Sequence, residues 1–418
     1  MQFKLDSKME RLFPYVWIFY YVYCILNGVL IARAGFITLL VNTLIFLYLL
    51  YCNFIKNNYW AKFNFVYLYF IFLFILILLQ SSELYLSFRM WLKYFMSWLC
   101  LPIGFGIFGN PTKETSIRRM LYSFIFLFLF NYVLMHFFNI GVGKYAYGEL
   151  AGAERGSMFD EALYLNVAIV ALFPFIFRNG RYNLLALIGI SLTIVLTIMY
   201  MKRTVLVNII IVVVLFLSFK TYFVLKYGKN RIELYSNSIV RRGIVVLTIL
   251  AAFFYFQNVI YGQYELRRND FNRSINKENR SQELVFIIDE ITGNKADTKL
   301  FLFGKETFNT VGTYAKGKFG NRMIHENIGI ILNGTGLVGL IWYVLINIYV
   351  LFLFLHYSSL VDLSGNNEAR LLYIVYITYW CIYMVASLSG TIWLLLYPAM
   401  HFLISGIVLR YFYSYTEL

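Results

Sequence analysis

The chain has 418 residues, of which 61% are hydrophobic and 14% are charged, and its mean hydropathy is +0.68. Soluble domains are about half apolar and a quarter charged, so this composition excludes a soluble globular protein and predicts an integral membrane protein. The net charge of +15 would favour nucleic-acid binding in a soluble chain. Here most basic residues fall in short loops between apolar runs, where they set membrane topology.

Apolar runs long enough to cross a bilayer, about 20 residues each, recur along the chain. The first lacks a small-residue cleavage site and is expected to stay in the membrane as a signal anchor. No internal repeat or soluble domain is evident, so residues 1–418 are interpreted as one all-α, polytopic membrane domain. About twelve transmembrane helices are predicted, at 12–32, 36–54, 63–80, 84–108, 119–140, 161–178, 182–200, 204–224, 243–260, 327–355, 370–388 and 391–412.

The lysines and arginines of the short loops predict the orientation. One set of alternate loops holds about eighteen basic residues and the other about five, so the first set is cytoplasmic. Both termini are then cytoplasmic, and two notable segments are external: a Gly-rich loop at 141–162 and a long loop at 261–325 before the last three helices. Loops of this length are usually functional.

The long external loop contains the segment RSQELVFIIDEI. Its Leu284, Ile287, Ile288 and Ile291 fall on one helical face. The spacing predicts a short amphipathic helix that lies on the external membrane surface or on the helix bundle.

Basic residues on the external side are the first candidates for chemistry. Lys202 and Arg203 lie at a tight external turn, where they either extend to lipid headgroups or bind an anion such as phosphate. Four arginines open the long loop, and such a charge run is either a solvated surface or a clamp for a diphosphate. They are Arg267, Arg268, Arg273 and Arg280.

His325, one of 4 histidines, ends the long loop where an apolar run begins. A lone histidine is more often a hydrogen-bonded structural group than a catalyst. However, imidazole is well suited to accept a proton near neutral pH, and this position is the membrane interface. Its neighbours Glu326 and Asn327 are expected to bind the substrate on which His325 would act.

Arg89 and Lys93 lie one helical turn apart inside the fourth predicted span. Charges within a membrane are costly and usually functional. They either attract a lipid-linked phosphate or pair with a carboxylate such as Glu83. The sequence has no nucleotide-binding motif, and its 4 cysteines lie singly at apolar runs, so neither a cofactor nor a metal is expected.

The segment LFLFGKETFNTVGTYAKGKFGNRMIHENIGIILNGTGLVGLIWYV resembles the signature region of the O-antigen polymerase and O-antigen ligase superfamily. The resemblance lies in a turn at Gly304, in His325 with Asn327, and in Gly336 with Gly339 after an apolar stretch. The layout, with one long periplasmic loop before the last three helices, is similar too.

Two arginines extend the resemblance. Arg203 is similar to a family arginine where an earlier span begins, and Arg280 is the best match to one that opens the periplasmic loop. Lys202 stands where the family often has a serine, and Lys305 follows Gly304 where a second glycine is common. The choice among the four loop arginines stays open.

The resemblance implies a metal-independent glycosyl transfer at the periplasmic face of a bacterial inner membrane. The donor would be a glycan linked to undecaprenyl diphosphate, and the acceptor a sugar hydroxyl. His325 would accept the hydroxyl proton, and Arg203 and Arg280 would hold the diphosphate. The other basic candidates would bind substrate, and the 141–162 loop would help to bind glycan.

The acceptor distinguishes a polymerase, which uses another lipid-linked repeat unit, from a ligase, which uses lipid A core. Polymerase is favoured because the chain is rich in residues that AT-rich coding supplies, such as Phe (41) and Tyr (36), and surface-polysaccharide gene clusters are often AT-rich. If the chain is a polymerase, a polysaccharide chain-length regulator is a possible protein partner. A protein O-glycosyltransferase and a lipid-linked oligosaccharide flippase are the alternatives, and no nucleic-acid partner is expected.

Overall fold

All secondary structure in the described part of the computed structural model is helical, which confirms the all-α prediction. The structure describes isolated positions between 15 and 324 and a set of continuous stretches. The stretches are 35–55, 58–107, 188–194, 203–227, 279–293, 297–308, 326–388, 390–392 and 394–415.

Nine helices run through these stretches, and a π-helical turn (Tyr51–Ile55) and a 3-10 turn (Asn58–Phe63) join the first two. The helices are α1 Gly35–Leu50, α2 Asn64–Gln80, α3 Leu84–Ile107, α4 Arg203–Tyr227, α5 Asn279–Thr292, α6 Thr298–Phe303, α7 Asn327–Ser359, α8 Asn367–Ser387 and α9 Leu396–Ser414. Helices α1 to α4 and α7 to α9 match predicted spans to within about five residues.

The remaining predicted spans lie wholly or largely outside the described residues, so the count of twelve stays a prediction. They are 12–32, 119–140, 161–178, 182–200 and 243–260. The 141–162 loop also lies outside the described residues.

Among the described helices, four are long and apolar enough to cross a membrane. They are Ala61–Gln80, Val207–Tyr227, Asn327–Ser359 and Glu368–Ser387. On α2, the side chains of Leu68, Ile71, Ile75 and Leu78 are all exposed along one face. A continuous apolar face of this kind is covered by lipid, so the helices form a membrane-embedded bundle.

Helices α3 and α9 pack backbone to backbone through facing glycines. A Cβ on Gly104 would collide with the carbonyl oxygen of Leu403, and a Cβ on Gly406 would lie 2.8 Å from the Phe105 nitrogen. Small residues allow this approach in membranes, where dispersion contacts drive helix association. The α3–α9 pair therefore forms the centre of the bundle.

Basic residues gather at one end of the bundle, against aromatic rings. Lys62 Nζ lies 4.0 Å from the ring centroid of Tyr413, and Arg410 Cζ lies 5.2 Å from the same centroid. At the start of α8, Arg370 Cζ lies 5.8 Å from the Tyr227 ring. All three basic residues come from loops predicted to be cytoplasmic, and the side that this end faces stays a prediction.

Helix α5 lies within the predicted long loop and packs on α7. Its Ile287 and Ile291 are buried, whereas Ile288 is exposed. Ile287 Cδ1 would lie 3.3 Å from a Cβ on Gly329 of α7, so glycine permits the close approach. The apolar face of α5 therefore docks mainly on the bundle.

Replacing Gly104 with alanine is expected to destabilise the protein, because the added methyl group collides with the α9 backbone. The free energy of unfolding should fall by about 1–3 kcal/mol. Thermal unfolding in nanodiscs measures this change. The control is Gly365→Ala, whose Cβ would have its nearest neighbour, Asp362 Oδ2, at 3.7 Å; equal melting temperatures for the two variants would refute the packing argument.

Candidate functional site

Helix α7 is interrupted at Gly336, which has a φ of 62° and a ψ of −160°. Residues 327–335 form one helical segment and 337–359 a second. The second segment alone is about 34 Å long at 1.5 Å per residue. Because a hydrocarbon core is about 30 Å thick, the break lies near one membrane boundary and the first segment extends beyond the span.

Gly336 and Gly304, the residue that ends α6, interlock at this break. Gly304 has a φ of 74°. A Cβ on Gly336 would lie 2.6 Å from the Gly304 nitrogen, and a Cβ on Gly304 would lie 2.6 Å from the Thr335 nitrogen. Both positions need glycine, for their backbone conformation and for the space. The end of α6 is therefore seated in the break of α7.

The carbonyl groups exposed by the break receive hydrogen bonds from two other parts of the chain. Gln80 Nε2 donates to the Gly334 oxygen at 2.7 Å and to Thr307 Oγ1 at 2.8 Å. The Thr307 hydroxyl donates to the same Gly334 oxygen at 2.9 Å. The Lys305 N–H donates to the Asn333 oxygen at 2.8 Å. These bonds satisfy carbonyls that a helix end otherwise leaves unpaired, and we call Gln80, Lys305, Thr307, Asn333 and Gly334 the polar junction.

Side chains next to the polar junction tie α5, α6 and the α2–α3 turn to it. Lys305 Nζ lies 2.8 Å from Glu290 Oε1, which links the end of α6 to α5. The Ser82 N–H donates to Glu306 Oε1 at 3.1 Å, and the Ser82 hydroxyl donates to the same oxygen. The α2–α3 turn, α5 and α6 are thus held together at this end of the bundle.

Asn327, the first residue of α7, joins this end to the turn before α9. Its Oδ1 accepts hydrogen bonds from the N–H groups of Thr391 and Ile392 at 2.8 and 3.2 Å. Its Nδ2 donates to Thr391 Oγ1 at 2.8 Å and to the Tyr343 hydroxyl at 3.3 Å. Asn327 therefore orients the start of α7, and its contact with substrate stays a prediction.

The segment before α7 lies between α5 and α7. Ile324 is fully buried, and Glu326, at the N-cap position of α7, is 8% exposed. A Cβ on Gly329 would lie 3.0 Å from Ile324 Cγ2 and 3.3 Å from Glu326 Cγ. His325 itself lies outside the described residues.

Arg203 and Arg280 have described backbones, but their side chains lie outside the described part. Arg203 begins α4 and Arg280 is the second residue of α5. The end of α4 packs on the start of α8, where the Phe223 and Tyr373 ring centroids are 6.1 Å apart. The start of α4 is therefore at the opposite end of α8, the end that carries the polar junction. Lys202, Arg267, Arg268 and Arg273 lie outside the described residues.

Arg89 and Lys93 occupy half-buried positions on α3, beginning one turn from its start. Arg89 Cζ lies 5.9 Å from the Tyr85 ring centroid. Glu83 is exposed and makes no ion pair with Arg89, so the pairing considered from the sequence is absent between these two described residues.

Gln80 and Thr307 are site residues that the sequence reasoning missed. A signal for Gln80 exists, since it is the polar residue that ends the apolar run FILILLQ. Thr307 has no comparable signal.

The chain matches no family model and no curated protein. Among the described residues, no group of His, Cys, Asp and Glu side chains could hold a metal ion.

Gln80→Leu is expected to destabilise the protein, because it removes the half-buried amide that donates to the Gly334 and Phe303 carbonyls, of which Gly334 keeps the bond from Thr307. The loss of such a hydrogen bond costs about 0.5–1.5 kcal/mol. Thermal unfolding in nanodiscs tests this, with Leu79→Ala as the control because Leu79 is 75% exposed on the same helix. An unchanged melting temperature for Gln80→Leu would show that the polar junction contributes no stability.

Proposed function

We propose that the chain is a bacterial inner-membrane glycosyltransferase that joins glycan repeat units carried on undecaprenyl diphosphate, as an O-antigen polymerase does. The new glycosidic bond forms at the periplasmic face. No metal or nucleotide takes part, since the lipid diphosphate is already a good leaving group.

In this mechanism His325 takes the proton from the attacking sugar hydroxyl, which is general base catalysis. Arg203 and Arg280 bind the donor diphosphate and stabilise the negative charge that develops as it leaves. A guanidinium suits this role because it binds phosphate oxygens through two parallel hydrogen bonds. Arg89, Lys93 and the other loop arginines attract the anionic headgroup.

The proposal is supported by the positions at which three helices begin. The starts of α4, α5 and α7, which carry or adjoin the three catalytic candidates, are at the same end of the bundle as the polar junction. Residues 337–359 are long enough to cross the hydrocarbon core alone, so in this proposal the end that carries the polar junction lies at a membrane boundary. A lipid-linked glycan has its diphosphate at this depth, with its lipid in the bilayer and its sugars in water.

The break in α7 also favours a second candidate, a lipid-linked oligosaccharide transporter. Discontinuous helices form the substrate sites of many transporters. Those sites lie near the bilayer midplane, however, whereas the Gly336 break lies near a boundary. We therefore prefer the transferase. A ligase that uses lipid A core as acceptor shares the same site chemistry.

His325→Ala is expected to lower transfer by a factor of about 10²–10⁴, the usual contribution of a general base. The test is a lipopolysaccharide gel from a deletion strain complemented with wild type or variant at equal protein levels. For a polymerase, the variant leaves core bearing one repeat unit and no ladder. The matched control is His356→Ala, since His356 is exposed near the other end of α7 and should keep the ladder.

Other results of the gel separate the alternatives. Bare core with polymer accumulating on the lipid carrier would assign a ligase. A full ladder from His325→Ala would remove the general-base role. An unchanged ladder in the deletion strain itself would refute both functions for lipopolysaccharide.

A further inference from the structure

Two basic side chains meet on one tyrosine ring at one end of the bundle. Lys62 Nζ lies 4.0 Å and Arg410 Cζ lies 5.2 Å from the ring centroid of Tyr413. Arg410 Cζ also lies 5.7 Å from the ring centroid of Phe105. Lys62, Arg410 and Tyr413 are all half-buried, and we call these three residues the cationic corner.

The cationic corner lies where apolar helices begin and end, opposite the polar junction. The Tyr413 ring packs on that of Tyr357, with 5.1 Å between the centroids. Tyr357 lies about 31 Å along α7 from Gly336, whereas a hydrocarbon core is about 30 Å thick. Lys62 is at the start of the apolar span Ala61–Gln80, and Tyr357 is near the end of the apolar span Asn327–Ser359. A bundle that crosses the membrane at these spans has the cationic corner at the depth of phospholipid phosphates.

The Lys62 side chain extends from inside the bundle toward this end. The Tyr349 hydroxyl donates to the Lys62 oxygen at 2.6 Å, and the ring centroid of Phe65 lies 5.8 Å from that of Tyr349. Tyr349 precedes Tyr357 by about 12 Å along α7, so the Lys62 backbone lies deeper than the ring that its amine contacts. Lysine side chains extend in this way to bring their charge to the headgroup layer.

Two cations on one ring favour an anion beside them. Both are so close to the Tyr413 centroid that their separation is below the Debye length of about 10 Å at 0.1 M salt, so they repel each other. A phosphate between them offsets this repulsion. A guanidinium has several N–H donors, so Arg410 can bind a phosphate and also bond within the protein. Phe352 and Leu355, which lie between Tyr349 and Tyr357 on α7, are exposed and offer an apolar surface to acyl chains.

We propose that the cationic corner is a binding site for the phosphate of an anionic phospholipid such as phosphatidylglycerol. Lys62 and Arg410 bind the phosphate oxygens, and the acyl chains lie along the exposed apolar face of α7. A zwitterionic lipid fits less well, because the two cations repel its ammonium group. The bound lipid connects the start of α2 to the end of α9. The site does not depend on the transferase function, since it lies at the other end of the bundle.

The first test is thermal unfolding of the full chain in nanodiscs of phosphatidylcholine alone and of an equal mixture with phosphatidylglycerol. A ligand that binds only the folded protein stabilises it, so the wild type should melt several degrees higher in the mixture. Lys62→Gln and Arg410→Gln should each lose most of that difference. An equal difference in the wild type and in both variants would overturn the proposal.

Lys226→Gln is the matched control, since it removes one positive charge near the same end of the bundle. Lys226 Nζ also lies 5.4 Å from the ring centroids of Tyr222 and Tyr227, but the residue is exposed. This variant should keep the full difference between the two lipids. A loss as large as that in Lys62→Gln would show a general charge effect and contradict a specific site. Each protein is compared with itself, so a general loss of stability cancels.

Native mass spectrometry gives an independent readout on the wild type itself. Phosphatidylglycerol should bind the detergent-solubilised protein severalfold more tightly than phosphatidylcholine. Lys62→Gln should weaken that binding about fivefold, the usual contribution of one basic side chain at an anionic membrane surface. Equal affinity of the wild type for the two lipids would refute the site even if neither variant folded.

Inorganic phosphate separates a lipid headgroup from a soluble phosphate. It is added to the wild type in nanodiscs of phosphatidylcholine alone. The melting temperature should stay unchanged, because a soluble ion lacks the acyl chains that hold the headgroup at this depth. Stabilisation as large as that by phosphatidylglycerol would assign the site to soluble phosphate, and the lipid assignment would be wrong.

Discussion

The break at Gly336 and the donors that satisfy its carbonyls are the constraint on which one end of this protein depends. In a membrane, an unpaired backbone carbonyl costs several kcal/mol, so an interrupted helix persists only where other groups replace the lost hydrogen bonds. Gln80 comes from the end of α2, and Lys305 and Thr307 come from the segment after α6. These distant parts of the chain must therefore meet at the break, and α6 cannot leave it without exposing its carbonyl groups.

The same constraint explains how a membrane bundle acquires a polar, well-ordered end. The close α3–α9 contact at Gly104 and Gly406 fixes the centre of the bundle. The polar junction then holds α5 and α6 on that bundle, and Asn327 joins the start of α7 to the turn before α9. A site for a lipid-linked glycan needs such an end, because its reacting groups lie at the boundary between lipid and water.

The sequence predicts the long helices well and the break poorly, for physical reasons. Helices α2 and α3 are predicted almost to the residue, because polar residues at Gln80 and Glu83 interrupt the apolar composition between them. The predicted span 327–355 runs through Gly336, although Asn333, Gly334 and Thr335 interrupt its apolar composition just before that point. The break depends on Gln80, which is 254 positions away from Gly334 in the chain. Local periodicity carries no information about such a pairing.

The residues of the candidate site also differ in how far the sequence predicts them. His325 can be selected from the sequence because a polar loop meets an apolar run there. Thr307 cannot, since nothing in its local sequence distinguishes it from the other polar residues of the loop. Only the seating of α6 in the break of α7 brings the Thr307 hydroxyl within 2.9 Å of the Gly334 oxygen.

The central claim is that the break in α7 holds α5 and α6 on the bundle. Disulfide cross-linking in native membranes measures this most directly. Ser82→Cys and Glu306→Cys would be combined in a chain whose native cysteines are replaced by alanine. The account predicts a rapid disulfide, because Ser82 and Glu306 are hydrogen-bonded next to the polar junction. A pair from opposite ends, Ser82→Cys with Asp362→Cys, should not cross-link. If the first pair formed a disulfide no faster than the second, the polar junction would not exist as described.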